Sequence, residues 1–175
     1  MLFGNTETFA LEAIIEPGPE LAPFFGSNIT GRFRLFFGGL EVGKFTEPCC
    51  VVRPLSEHLS SMCTSADRLW HKSLSGHTPE GWFHLLDDAL YLVGVPKPPD
   101  TYHHLDFLTN VSEALNNVKG FLVAPPGEQL HALIQLPESP AIFHHVISRS
   151  EFCSVSSKFA AWVKEQESVL LQKSA

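Results

Sequence analysis

The chain carries little charge for its size. Asp, Glu, Lys and Arg make up 18% of its 175 residues, too few for long charged, disordered tails. Basic residues are the scarcer sign: 12 Lys and Arg stand against 19 Asp and Glu, for a net charge of −7. Phosphate backbones are held by clustered cations, so this balance argues against nucleic acid as the main ligand. Long hydrophobic runs are missing too. No stretch reaches the roughly 18 consecutive apolar residues of a membrane span. The opening MLFGNTETFALEAIIEPG lacks a basic start and is interrupted by Glu7, Glu12 and Glu16, so it does not read as a signal peptide. These absences predict a cytoplasmic protein with no membrane association, in which Cys49, Cys50, Cys63 and Cys153 stay as thiols.

Catalytic and metal-binding signatures are also scarce. Gly38-Gly39-Leu40-Glu41-Val42-Gly43-Lys44 fits G-x4-G-K, but Phe45 stands where a phosphate loop needs Ser or Thr for magnesium. Pro48 follows where the phosphate-cradling helix should begin, so the stretch reads as a hairpin. Nine histidines include the doublets His103-His104 and His144-His145. Adjacent residues point about 100° apart on a helix and to opposite faces of a strand, so neither doublet readily places both rings on one metal. No H-E-x-x-H, C-x-x-C or G-x-S-x-G occurs. No catalytic, cofactor-binding or metal-binding residue is therefore assigned, and no cofactor is expected. A Cys–His pair assembled by the fold stays open, because such partners lie far apart in sequence.

What is present suits a well-filled core. Apolar residues make up 44% of the chain, with 14 Phe and 3 Trp; the length suits a single domain over 1–175. Phe9, Leu11, Ala13 and Ile15 alternate with Glu12 and Glu16, which predicts a strand with one drier face. Pro17, Gly18, Pro19 and Pro23 mark a loop. Phe33, Leu35 and Phe37 alternate with Arg32 and Arg34 in a second strand, and Gly38-Gly39 turns the chain into a third over 40–45. Pro54 suits the first turn of a helix carrying Leu55, Leu59, Met62 and Cys63. Thr78-Pro79-Glu80 reads as a cap for a helix with a stripe of Trp82, Leu85, Leu86, Ala89, Leu90 and Val93, ended by Gly94. Leu105, Leu108, Ser112 and Leu115 suggest another helix. Residues 121–124 and 130–136 flank Pro125-Pro126-Gly127-Glu128 as a second hairpin, 141–148 continue as a last strand, and Phe152, Val155, Phe159, Trp162 and Val163 define a terminal helix. Strands grouped at both ends, with helices between, predict an α+β fold. Its antiparallel sheet is built from N-terminal and C-terminal strand groups, with one C-terminal helix.

Charge is not spread evenly. Residues 76–118 hold Glu80, Asp87, Asp88, Asp100, Asp106 and Glu113 against Lys97 alone, which supplies −5 of the net −7. A surface of one sign raises the encounter rate with a partner of the other sign. It is also what an ordinary solvated helix face looks like. The six carboxylates are the candidate partner-binding residues.

Met1-Leu2-Phe3-Gly4 with Thr8-Phe9-Ala10-Leu11-Glu12, and then Phe33-Arg34-Leu35-Phe36-Phe37-Gly38-Gly39-Leu40-Glu41-Val42-Gly43, resemble the opening of a family of bacterial immunity proteins. These accompany secreted polymorphic toxins; the family is immunity family forty-two, and the resemblance covers about the first 60 residues. It implies a protein that binds and neutralises a cognate toxin without catalysis of its own. Many such toxins are nucleases with basic surfaces, which an acidic inhibitor would suit. The motifs are structural and transfer no catalytic residue. Two other readings remain beside it: a small thiol- or metal-dependent hydrolase built around Cys63 or Cys153, and a structural subunit of a homo-oligomer.

Overall fold

The computed structural model describes residues 1–16, 29–46, 50–92, 102–109, 111–127 and 129–173. Eight strands and three α-helices lie among them, all strand pairing being antiparallel: an α+β fold. The strand groups at the two ends of the chain do not share one sheet. The first sheet runs β1 (Leu2–Gly4), β2 (Phe9–Ile15), β3 (Thr30–Phe37), with both β4 (Leu40–Val42) and β5 (Cys50–Val51) pairing onto β3. The second runs β6 (Lys119–Val123), β7 (Gln129–Gln135), β8 (Ile142–Ser148). Alternation within each segment dictates which local neighbours pair, but not which sheet a hairpin joins.

The first sheet buries the face expected of it. Phe9, Leu11, Ala13, Phe33, Leu35 and Phe37 have no exposed area, while Glu12, Arg32 and Arg34 lie on the other face. Helix α1 (Val52–Thr64) and helix α3 (Arg149–Lys173) pack against one another and against this sheet. Phe9 meets Phe152 at 4.9 Å between ring centroids, and Phe3 meets Phe159 at 5.7 Å and Trp162 at 5.6 Å. Pro54 sits in the first turn of α1, where its missing N–H is not needed. The third strand is shorter than expected, ending at Val42. Gly43 then adopts φ +105°, outside the range of a strand.

Helix α2 (Pro79–Tyr91) covers one face of the second sheet, with Phe83 against Phe121 at 5.2 Å. Its expected end at Val93-Gly94 lies outside the described residues, as do the Pro17–Pro23 loop and Lys97. The helix expected around Leu105 to Leu115 does not form. Two 3-10 turns, His103–Leu105 and Glu113–Leu115, stand there instead. The backbone bonds a helix would use go elsewhere: Asp106 forms a bridge with Phe121, and the Phe107 N–H donates to the Gly120 carbonyl at 2.9 Å. The Asp106 carboxylate also accepts from the Thr109 N–H at 3.1 Å, a local bond that competes with helix.

The sheets meet at the β3–β4 turn. Gly38 and Gly39 have φ +55° and +82°, the left-handed values a tight hairpin requires. A Cβ on Gly38 would stand 2.5 Å from His145 Nδ1 on β8. This turn therefore needs glycine twice over, for its dihedrals and for its approach to β8.

Candidate functional site

Helix α2 is placed by its start and by its apolar side. The Thr78 hydroxyl oxygen accepts from the Gly81 N–H at 3.2 Å, and Pro79 occupies the first turn. Trp82, Phe83, Leu86 and Leu90 are buried, and the Trp82 indole N–H donates to the Leu74 carbonyl at 2.7 Å. With that side fixed, Glu80, His84 and Asp88, four residues apart, form one line on the solvent side. The Glu80 and His84 side chains are 76% and 62% exposed and lie 3.9 Å apart. Asp88 is exposed and makes no ion pair among the described residues. Leu92, 47% exposed, follows the helix end.

The other acidic residues of this segment are not equivalent. Asp87 turns toward the sheet: its Oδ1 lies 2.5 Å from Lys119 Nζ, and its side chain is only 23% exposed. Lys119 follows the acidic segment by one residue, so a charge count over 76–118 omits the cation that neutralises Asp87. Asp106 accepts from the Tyr91 hydroxyl as well as from the Thr109 N–H. Burial first, and then the bond to Asp106, hold the Tyr91 phenol well above its ordinary pKa. Lys119 Nζ also lies 5.8 Å from the Tyr91 ring centroid. Asp87, Tyr91, Asp106 and Lys119 thus tie the end of α2 to β6 and the loop before it. Glu113 is exposed on its 3-10 turn, with the Ser112 hydroxyl donating to it at 3.3 Å. That turn is pinned beside β4 by the Lys44 N–H, which donates to the Ala114 carbonyl at 2.9 Å. Asp100 lies outside the described residues. The structure thus places Glu80 and Asp88 on one line of α2 and Glu113 on a separate turn, and gives Asp87 and Asp106 internal partners.

Two arrangements escape a reading along the chain. His144 and His145 face opposite sides of β8, as a strand requires, but His144 Nε2 meets His131 Nδ1 of β7 at 2.9 Å. The rings are within 10° of parallel, yet a 2.9 Å approach is closer than the roughly 3.5 Å of face-to-face contact. They meet edge to edge through an N–H···N bond, not as a stack. Only the β7–β8 register, His131 opposite Val146 and His144 opposite Leu133, brings them together. Second, Cys63 of α1 is hydrogen-bonded to Cys153 of α3; burial first, and then that bond, push its thiol up to about 12. Such a thiol holds almost no thiolate at neutral pH and makes a poor nucleophile. Among the described residues no three His, Cys, Asp or Glu side chains are grouped to hold a metal ion. An open cavity of about 680 Å³ lies at the far end of the second sheet, between Asn117, Lys119 and residues 135–140.

The fold has a solved counterpart. The chain is similar to the crystal structure of CdiI from Burkholderia dolosa AUO158, with a TM-score of 0.64 and 20% sequence identity over 92% of this chain and 99% of that one. No family model and no curated protein matches the chain. The likeness extends over nearly the full length of both proteins, and at this identity it is a likeness of fold. No helix among the described residues is long and apolar enough to cross a membrane.

Proposed function

We infer that this protein is an immunity protein: it binds a cognate protein toxin and neutralises it, with no catalysis of its own. The observation that carries the reading is the full-length likeness of fold to CdiI, a contact-dependent-inhibition immunity protein. The resemblance of the first strands to toxin immunity proteins points the same way. An inhibitor acts by contact, so its working part is a surface. The acidic segment is that surface in this reading, with Glu80, Asp88 and Glu113 meeting a basic toxin and Asp87 and Asp106 holding their supports in place. Asp100 belongs to the same segment by sequence. Acidic groups facing a basic partner speed encounter and fix its orientation. Protection would be exercised in the cytoplasm of the cell the toxin enters.

The test is co-expression with the toxin encoded beside this gene. Cells producing the toxin should survive when this chain is present and die when it is absent. Equal death in both cases would sink the reading. A purified complex should form at nanomolar concentration or tighter, as stable inhibitor complexes of ordinary size do.

A further inference from the structure

Helices α1 and α3 lie side by side in opposite directions, and an ion pair pins them on either side of their contact. Arg53 Nη2, in the first turn of α1, meets Glu167 Oε2 at 2.9 Å. Just beyond the end of α1, Asp67 Oδ1 meets Arg149 Nη2, in the first turn of α3, at 2.8 Å. Two thiols lie between these pins. Arg149 and Cys153 are four residues apart and share one face of α3, while Cys63 precedes Asp67 by four residues. The register that joins Asp67 to Arg149 therefore also sets Cys63 against Cys153, and the two side chains are hydrogen-bonded. Met62 of α1 and Phe152 and Val155 of α3 are buried beside them, which keeps the helix surfaces in contact. Both cysteines are free and half-buried, packed against the core from its margin.

We propose that Cys63 and Cys153 are a reversible oxidation site: a peroxide joins them as a disulfide that fastens α3 to α1, and a small thiol reopens it. Thiol pairs of this kind in a reducing compartment are transient and redox-sensing. Position divides the work between the two sulfurs. Burial first pushes the Cys63 thiol up to about 12, which leaves it too little thiolate to attack a peroxide from solution. Cys153 takes that step. Its sulfur accepts one oxygen as the O–O bond breaks and becomes a sulfenic acid, and the rest of the peroxide leaves as water or an alcohol. Cys63 then attacks the same sulfur. The S–S bond forms, the S–O bond breaks, and the hydroxide departs with the Cys63 proton as water. Two thiols have then given two electrons and two protons to one peroxide. A small thiol reverses this by exchange, and is itself oxidised to a disulfide. The link closes the chain between 63 and 153, which restricts the unfolded chain far more than helices already held together. Cys50 is fully buried on β5 and stands outside the pair.

Oxidation of the full chain by dilute hydrogen peroxide tests this and needs no toxin. The four thiols of the chain should fall to two, with the loss of two hydrogen atoms in the intact mass. Digestion without reductant should join the peptides that carry Cys63 and Cys153. The melting temperature should rise by about 5 °C or more and return when dithiothreitol is added. Cys63→Ser should strand Cys153 as a sulfenic acid that dimedone traps, whereas Cys153→Ser should leave Cys63 unlabelled. Cys63→Ala repeats the first of these should the serine disturb the packing. A link that maps to Cys49 or Cys50, or that joins two chains, would overturn the proposal. So would four thiols that persist in peroxide while glutathione in the same tube is oxidised.

Discussion

Asp87 Oδ1 accepts from the Lys119 ammonium across 2.5 Å and its side chain is 23% exposed, whereas Asp88, next in the chain, projects into solvent with no ion pair among the described residues. The two should respond differently to neutralisation. Asp87→Asn loses the pair with Lys119 and should lower stability by up to about 1 kcal/mol, a fall in Tm of about 2–4 °C for a chain of this length. Glu80→Gln with Asp88→Asn should leave the melt unchanged, because exposed carboxylates contribute little. Toxin binding should weaken and its dependence on salt should become shallower. An unchanged affinity and salt slope would show that this side of α2 is not the contact. Gly38→Ala is the opposite kind of change, buried in consequence though small in size. It puts a Cβ at φ +55° and 2.5 Å from His145, and should cost about 1–3 kcal/mol in denaturant unfolding.

At the scale of elements, the strands were legible wherever one face is buried and the other is not. Phe33, Leu35 and Phe37 against Arg32 and Arg34 announce β3, and the Thr78-Pro79-Glu80 start with its apolar stripe announces α2. Elements decided by distant partners were not legible. β1 is three residues long and holds its place by pairing Phe3 with Leu11 and by packing on α3. The spacing of Leu105, Leu108, Ser112 and Leu115 imitates a helix, but Asp106 and Phe107 spend their backbone groups on β6. The acidic segment was legible as composition; that Asp87 and Asp106 are already bonded was not, because their partners Lys119 and Tyr91 are fixed only by the packing of α2 on the second sheet. That packing makes its own prediction. Tyr91→Phe removes a half-buried hydroxyl from Asp106 and leaves the carboxylate one bond short. The expected loss is about 1–2 kcal/mol, read as a lower denaturant midpoint with an unchanged slope.

For the whole molecule, the histidines set the acid limit. His58, His104, His131 and His144 all have their pKa lowered from the ordinary value, in each case by burial first. The unfolded chain therefore takes up protons at a pH where the folded protein does not. Stability is complete above the unfolded histidine pKa of about 6.5 and is lost as pH falls below it. The denaturant midpoint should be level between about pH 7 and 8 and should fall steadily toward pH 5. His58→Gln should make that fall less steep, since burial holds the His58 pKa down and its Nε2 has no hydrogen-bond partner among the described residues; an unaltered slope would remove His58 from the account. Phe3, near the start of the chain, completes its packing on Phe159 and Trp162, near the end. A ribosome adding about 5–20 residues per second takes many seconds to deliver the second half of that contact. Through that interval β1 has no α3 to cover it, and a nascent chain halted short of α3 leaves the ring of Phe3 bare to proteases and chaperones.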